Sequence, residues 1–268
     1  MRTETFAPPG TPLSVRLDVN ARGRDLVVGD LHGHFDTLRR ALAELEVDER
    51  DRLFSLGDLI DRGPRSFEAK AWMEGKGFDL VLRGNHEQMM LEALTENPRP
   101  QPRRLSAAGA WALWQMNGGG WWRPRGAEDS AEAWIAALAS LPFAARVDTR
   151  YGPVGLVHAC PVHRSWRELE TALDGDASEN HLTRARALWS RVYGGWTQRE
   201  IGERGGEWPG PVAGIRAVLT GHSPVDEPTW HANVLGIDTG VHRDDPGYGR
   251  LTIARIDGSR IETFSFDR

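Results

Sequence analysis

Short apolar runs separated by polar, glycine-containing stretches recur along this chain, and three of them lead into similar clusters of Asp, Asn and His. Leu26 to Val28, Leu53 to Leu56 and Leu80 to Leu82 read as buried strands. The clusters after them are Gly29-Asp30-Leu31-His32-Gly33, Gly57-Asp58-Leu59-Ile60-Asp61-Arg62-Gly63 and Gly84-Asn85-His86-Glu87. Between the first two runs Leu38, Leu42 and Leu45 fall on one helical face, with Asp36 placed to cap the helix. Ser66 to Glu74 reads as a second helix, ended by Gly75 and Gly77. Strand, helix, strand, helix, strand predicts parallel strands with helices packed on them, an α/β fold.

From Gln88 to Leu141 the pattern changes to helices over Gln88 to Thr95, Ser106 to Met116 and Ser130 to Ser140, read as an insert across 88–141 that forms a rim. Strand character returns at Phe143 to Thr149 and Val154 to Val157, with Arg150 to Pro153 as the turn. A helix is expected over Leu182 to Val192. The strands Ala217 to Thr220, Val234 to Ile237, Arg250 to Ile256 and Arg260 to Phe266 come next, the last pair a hairpin at Asp257-Gly258. Residues 1 to about 20, polar and proline-rich, read as an N-terminal tail or edge segment.

A chain of 268 residues fits one core, so a single domain over 1–268 is expected. A net charge of -5 gives no overall attraction for nucleic acid or an anionic membrane, so neither is expected as a partner; an anionic substrate needs a local positive site. The lone Cys160 excludes an intramolecular disulfide framework. The first residues lack the apolar core of a signal peptide, and no apolar run reaches membrane-spanning length, so a cytoplasmic protein is expected.

The chemistry lies just past the strands. Loops at the carboxyl ends of parallel strands converge on one crevice, and each of the three Asp, Asn and His clusters is so placed. Two more histidines share that position: His158 after Val154 to Val157, and His222 in Thr220-Gly221-His222-Ser223-Pro224. Oxygen and nitrogen donors with little thiolate suit Mn, Fe or Zn, and there are more of them than one ion needs.

With these motifs in this order, the chain resembles the phosphoprotein phosphatase family of metallophosphoesterases over about residues 20 to 266. The segments Leu113 to Trp122, Leu188 to Arg191 and Ile237-Asp238-Thr239-Gly240 are similar to those of small bacterial and phage serine/threonine protein phosphatases. The resemblance implies a calcineurin-like fold, a central β-sandwich flanked by α-helices with a dinuclear metal site at strand ends. It implies two divalent ions, Mn ahead of Fe or Zn, with Asp30 and His32 holding one, Asn85, His158 and His222 the other, and Asp58 bridging both. Such a pair, about 3.5–4 Å apart, activates a shared water or hydroxide for in-line displacement. Arg62 and Arg191 match the phosphate clamps, whose planar forks grip phosphoryl oxygens. His86 matches the proton donor to the leaving group, and Asp61 is placed to orient it. Substrate contacts then fall to Arg62, Asn85, His86 and Arg191. The implied activity is phosphomonoester hydrolysis on a phosphorylated protein or small phosphoester, most of all as a protein serine/threonine phosphatase.

Symmetrical dinucleoside tetraphosphate hydrolases share the metal set, but relatives of that type usually carry Ala in place of Asp61 and Asp in place of Glu87. Asp61 and Glu87 therefore favour the protein phosphatase. A non-catalytic binding module predicts a missing ligand or acid, and none is missing. Cysteine-dependent phosphatase chemistry needs Cys-x5-Arg, whereas Trp166 stands six residues after Cys160. Trp111, Trp114, Trp121 and Trp122, beside Gly118 to Gly120, suit either a cleft wall or an aromatic core. His34, His163, His181, His231 and His242 lack motif support and read as supporting or surface residues. Arg103-Arg104 and Arg123 to Arg125 read as solvated turns.

Overall fold

The computed structural model describes residues 13–95, 106–124, 126, 129–175, 177–191 and 210–268. In chain order its strands are β1 (Ser14–Leu17), β2 (Asp25–Val28), β3 (Arg52–Ser55), β4 (Leu80–Val81), β5 (Ala144–Val147), β6 (Val154–Val157), β7 (Ala217–Thr220), β8 (Thr229–His231), β9 (Val234–Gly236), β10 (Arg250–Arg255) and β11 (Glu262–Asp267). The helices are α1 (Phe35–Glu44), the one-turn α2 (Ala69–Ala71), α3 (Asn85–Leu94), α4 (Ala107–Met116), α5 (Ala131–Ala139), α6 (Trp166–Asp174) and α7 (Ala177–Trp189).

The strands form two sheets, ordered β1-β5-β6-β7-β9-β8 and β11-β10-β2-β3-β4. Within them β2, β3 and β4 are mutually parallel, as are β6, β7 and β9, so five loops that carry the sequence motifs leave from carboxyl ends. Successive strand residues face opposite ways, which makes each sheet two-sided. Val27 and Phe54 point into the sandwich, where they meet Val154, Leu156 and Leu219 of the other sheet. Their neighbours Leu26, Val28 and Leu53 point outward onto Leu38 and Ala41 of α1, Met89 and Met90 of α3, Trp114 of α4 and Trp134 of α5. Val157 and Val218 cover the opposite face with Leu169 and Leu173 of α6 and Leu188 of α7. The result is the helix-flanked β-sandwich expected.

The insert does more than rim the molecule. Trp114 and Trp134 are completely buried in the same cluster as the outer face of the sheet, and an aromatic side chain of this kind removes roughly 150–250 Å² from water. Three elements lack a clear signal in the apolar pattern. β1, β8 and α6 are short; β1 and β8 lie at the sheet edge, where one side faces water and no apolar run is required. The polar stretch 14–17 is therefore a strand, pairing in parallel with β5, rather than tail. α6 does carry a local mark, a capping box in which Ser165 and Glu168 each bond the other's backbone N–H. α7 begins at Ala177, earlier than the leucine spacing predicts, and Val192 lies outside the described residues.

Asp36 does not cap α1. The N-cap position is His34, and the Asp36 carboxylate is held instead by Arg39 and Arg65. The segment 66–76 is not one helix but a 3-10 turn, α2 and a π turn, broken where Gly75 takes φ +81. Residues 1–12, Arg103, Arg104 and Arg125 lie outside the described set.

Candidate metal centre and active site

The five loops meet because their backbones bond one another across the sheet ends. Leu31 and His32 donate N–H groups to the Asp58 carbonyl at 3.1 and 2.8 Å, and Gly33 donates to Leu59 at 2.8 Å. Glu87, in the first turn of α3, accepts from the N–H groups of Asp58 and Leu59, both at 2.8 Å, and of Gly84 at 2.9 Å. Such close approach dictates glycine: a Cβ on Gly84 would lie 2.2 Å from Asp58 Oδ1, and one on Gly221 2.0 Å from Asp30 Oδ1. Non-glycine residues forced to positive φ gather here too, among them His32, Asp58, Asp61, Arg62 and His222. Each such residue costs about 1–3 kcal/mol, so the surrounding bonds must over-determine the geometry.

The sequence-predicted ligands come together around Asp58. His32 and His158 use Nδ1–H on the carbonyls of Ile60 (3.0 Å) and Leu56 (2.9 Å), which fixes the tautomer and leaves Nε2 as a lone pair. Those Nε2 atoms face Asp58, at 3.7 Å from Oδ2 and 3.5 Å from Oδ1 respectively. The oxygen Asn85 Oδ1 lies 3.0 Å from His158 Nε2 and 2.8 Å from His222 Nδ1. Two groups have their donor atoms within 4.8 Å of one another: His32, Asp58 and His86, and Asp58, His158 and His222. Asp58 belongs to both. Asp30 lines the same cavity, but its carboxylate accepts the His222 N–H, at 3.0 and 3.2 Å.

These residues fit divalent ions by their electrostatics as well as their donor types. The His158 Nε2 lone pair is buried against the oxygens of Asn85 and Asp58, acceptor facing acceptor, an arrangement that a cation satisfies. Burial lowers His32 well below the ordinary imidazole value and takes His222 to about 3, so both rings are neutral donors. Burial pushes Asp30 well above the carboxylate range, with the charges of Asp238 and Asp58 adding to it. Asp58 is pushed up by burial too, but His158, His86 and His32 outweigh this and hold it low. One carboxylate held ionised, a second beside it and neutral imidazoles in one buried crevice are a cation site by composition.

His86 stands one residue past Asn85, and its Nδ1 lies 2.7 Å from Asp61 Oδ2 with both side chains buried. Its Nε2 has no hydrogen-bond partner and lies 4.0 Å from Asp58 Oδ2. Burial works against a charged ring here, yet Asp58 and Asp61 outweigh it and hold the His86 pKa above the ordinary value. A protonated imidazole with a free Nε2 beside Asp58 is an acid in waiting.

Arg62 and Arg191 line the cavity, of about 360 Å³, together with Asp30, Asp58, Asn85, His86 and His222. Arg191 donates to the His222 carbonyl at 2.9 Å. Arg62 Nη1 lies 2.9 Å from His32 Nε2 and 3.0 Å from His242 Nε2. His242, without motif support in the sequence, is thus a wall of the cavity, as is Arg243 beside it. Their only signal is position: they come just after the Ile237–Gly240 motif, whose Asp238 is buried and raised to about 6 by that burial. Cys160 is buried in the core, and burial raises its thiol pKa, which removes the nucleophile that a cysteine mechanism requires.

A β-sandwich whose strand-end loops gather Asp, Asn and His about one shared carboxylate, with arginines on the cavity wall, defines a metallophosphoesterase. This chain belongs to the calcineurin-like phosphoesterase family, whose model matches residues 24–226. It is 34% identical over 237 residues to serine/threonine-protein phosphatase 1 of Salmonella typhimurium, covering 86% of this chain and 90% of that one. To the symmetrical bis(5'-nucleosyl)-tetraphosphatase of Hamiltonella defensa it is 43% identical, but over 68 residues, 24% of each chain. Its fold is shared with a protein serine/threonine phosphatase from Saccharomyces cerevisiae, at a TM-score of 0.57 and 16% identity across 96% of this chain and 84% of that one. The family is dinuclear and metal-dependent, and the chain is a hydrolytic phosphatase.

Proposed function

We propose that this phosphatase hydrolyses phosphoserine and phosphothreonine in proteins, with Mn as its metal. The observation that carries this reading is the buried His86–Asp61 pair beside Asp58. A serine or threonine leaving group departs as a basic alkoxide and needs a proton; a nucleoside polyphosphate departs as a stabilised anion and needs one less. The likeness to a named protein phosphatase over most of both chains supports the same reading, whereas the likeness to the tetraphosphatase is confined to a quarter of each.

In this reading His32 and Asp30 would hold one ion, Asn85, His158 and His222 the other, and Asp58 would serve both. Two divalent ions bound there would supply an activated water and charge to neutralise phosphoryl oxygens. Arg62 and Arg191 take the remaining oxygens in planar, charge-assisted hydrogen bonds and orient the phosphoryl group. His86 delivers its Nε2 proton to the departing oxygen, and Asp61 keeps the ring aimed and charged. The whole of 1–268 serves as one such domain, acting in the cytoplasm on a phosphorylated protein or a small phosphoester. Among the described residues no helix is long and apolar enough to cross a membrane.

Turnover of phosphoserine and phosphothreonine peptides compared with diadenosine tetraphosphate, at one Mn concentration, tests the substrate class. The expected result is a higher kcat/KM on the peptides. A strong preference for the dinucleotide, cleaved symmetrically to two nucleoside diphosphates, would replace this reading with the tetraphosphatase one.

A further inference from the structure

The helical insert reaches the acid–base pair directly. Trp114 Nε1–H lies 3.0 and 3.1 Å from the two carboxylate oxygens of Asp61, and Trp121 Nε1–H donates to Oδ1 at 2.7 Å. Asp61 Oδ2 receives His86 on its other side at 2.7 Å. Asp61 is fully buried, and among the described residues its ion-pair partner is His86 alone.

Both indoles are held firmly. Trp114 is completely buried and packs edge-on against Trp121, with ring centroids 6.4 Å apart, and Trp121 packs on Trp134 at 5.4 Å. Two of the three glycines between them are required by contact: a Cβ on Gly119 would lie 2.5 Å from the Trp114 ring. Gly118 takes φ +107, and a Cβ there would lie 2.7 Å from the Arg62 backbone nitrogen. The turn thus presses Gly119–Trp121 onto the loop that carries Asp61 and Arg62.

We propose that Trp114 and Trp121 are positioning residues that lock the Asp61 carboxylate in the orientation that aims it at His86 Nδ1. The proposal rests on the reading of His86 as the proton donor. A carboxylate held by one hydrogen bond can rotate about its Cβ–Cγ bond and carry that bond out of line. Two further N–H donors on rigid rings fix the plane of the carboxylate and satisfy lone pairs that His86 does not reach. Unlike Arg or Lys they bring no positive charge that would compete with His86 for the carboxylate. They carry no exchangeable charge of their own at any ordinary pH. The tryptophan and glycine segment of the insert therefore serves leaving-group protonation rather than packing alone.

The test is the dependence of rate on leaving-group basicity in Mn-loaded Trp121→Phe and Trp114→Phe, beside wild type and His86→Asn, with metal content measured for each. Phenylalanine keeps a ring and deletes the donor; Trp121, only partly buried, is the variant less exposed to a folding defect. The expected result is a loss of about tenfold on a phosphoserine peptide against about twofold or less on para-nitrophenyl phosphate, part of the ~10²- to 10⁴-fold worth of an acid, with metal content unchanged. If His86→Asn shows this selective loss and the tryptophan variants lose equally on both substrates, or lose nothing, the proposal fails and the role of His86 stands. If His86→Asn itself loses equally on both, the acid reading fails and takes this proposal with it.

Discussion

The Glu87 carboxylate accepts the backbone N–H of Asp58 at 2.8 Å, although 29 residues separate them in the chain. With its bonds to Leu59 and Gly84, it ties the loop after β3 to the start of α3 and so fixes Asp58 relative to Asn85 and His86. Glu87→Ala should leave three buried N–H groups without an acceptor, at about 1–3 kcal/mol each. The expected outcome is a markedly lower Tm and loss of bound metal. Glu87→Gln, which keeps one acceptor oxygen, should fall between. Calorimetry and metal analysis on the two variants check this, and an unchanged Tm and metal content in Glu87→Ala would show that the tie is dispensable.

His86→Asn removes the proposed proton donor while leaving Asp58 and its other neighbours in place. A phosphoserine peptide should lose ~10²- to 10⁴-fold in kcat, whereas para-nitrophenyl phosphate, with a weakly basic phenolate, should lose far less. Single-turnover rates on both substrates decide it. Equal losses would point to a disturbed metal site.

Arg191→Ala should lower kcat/KM by about 10- to 100-fold, the worth of a charge-assisted hydrogen bond of about 1.5–3 kcal/mol. Metal content should be unchanged, because Arg191 contacts the His222 carbonyl rather than its ring. Steady-state kinetics with metal analysis reads both halves, and metal loss in this variant would move Arg191 from phosphate binding to support of His222.

Much of this site was legible because its residues come directly after apolar strands, and parallel strands bring their carboxyl ends to one edge. Asp58, Asn85, His158 and His222 are far apart in the chain, yet each stands just past such a run, and the structure gathers them. His242 was not legible, since it sits in an irregular segment between β9 and β10 and owes its place at Arg62 to packing that no local pattern encodes. Asp36 misled for a related reason: its type and position suit a cap, but Arg39 and Arg65 compete for the carboxylate. Of the two options the sequence left open for the tryptophans, Trp114 takes the core one, and from there it also donates to Asp61.

Asp58 is the proposed carboxylate shared by two ions. Mn-soaked crystals measured at the Mn absorption edge test it most directly, with Asp58→Asn treated alike. Two anomalous peaks are expected, one on the His32 side of Asp58 and one on the His158 and His222 side, both weakened or lost in Asp58→Asn. Hydrolysis of an aryl phosphate should vanish on chelation and return with Mn. No anomalous peak near Asp58 in the soaked wild type would contradict the account.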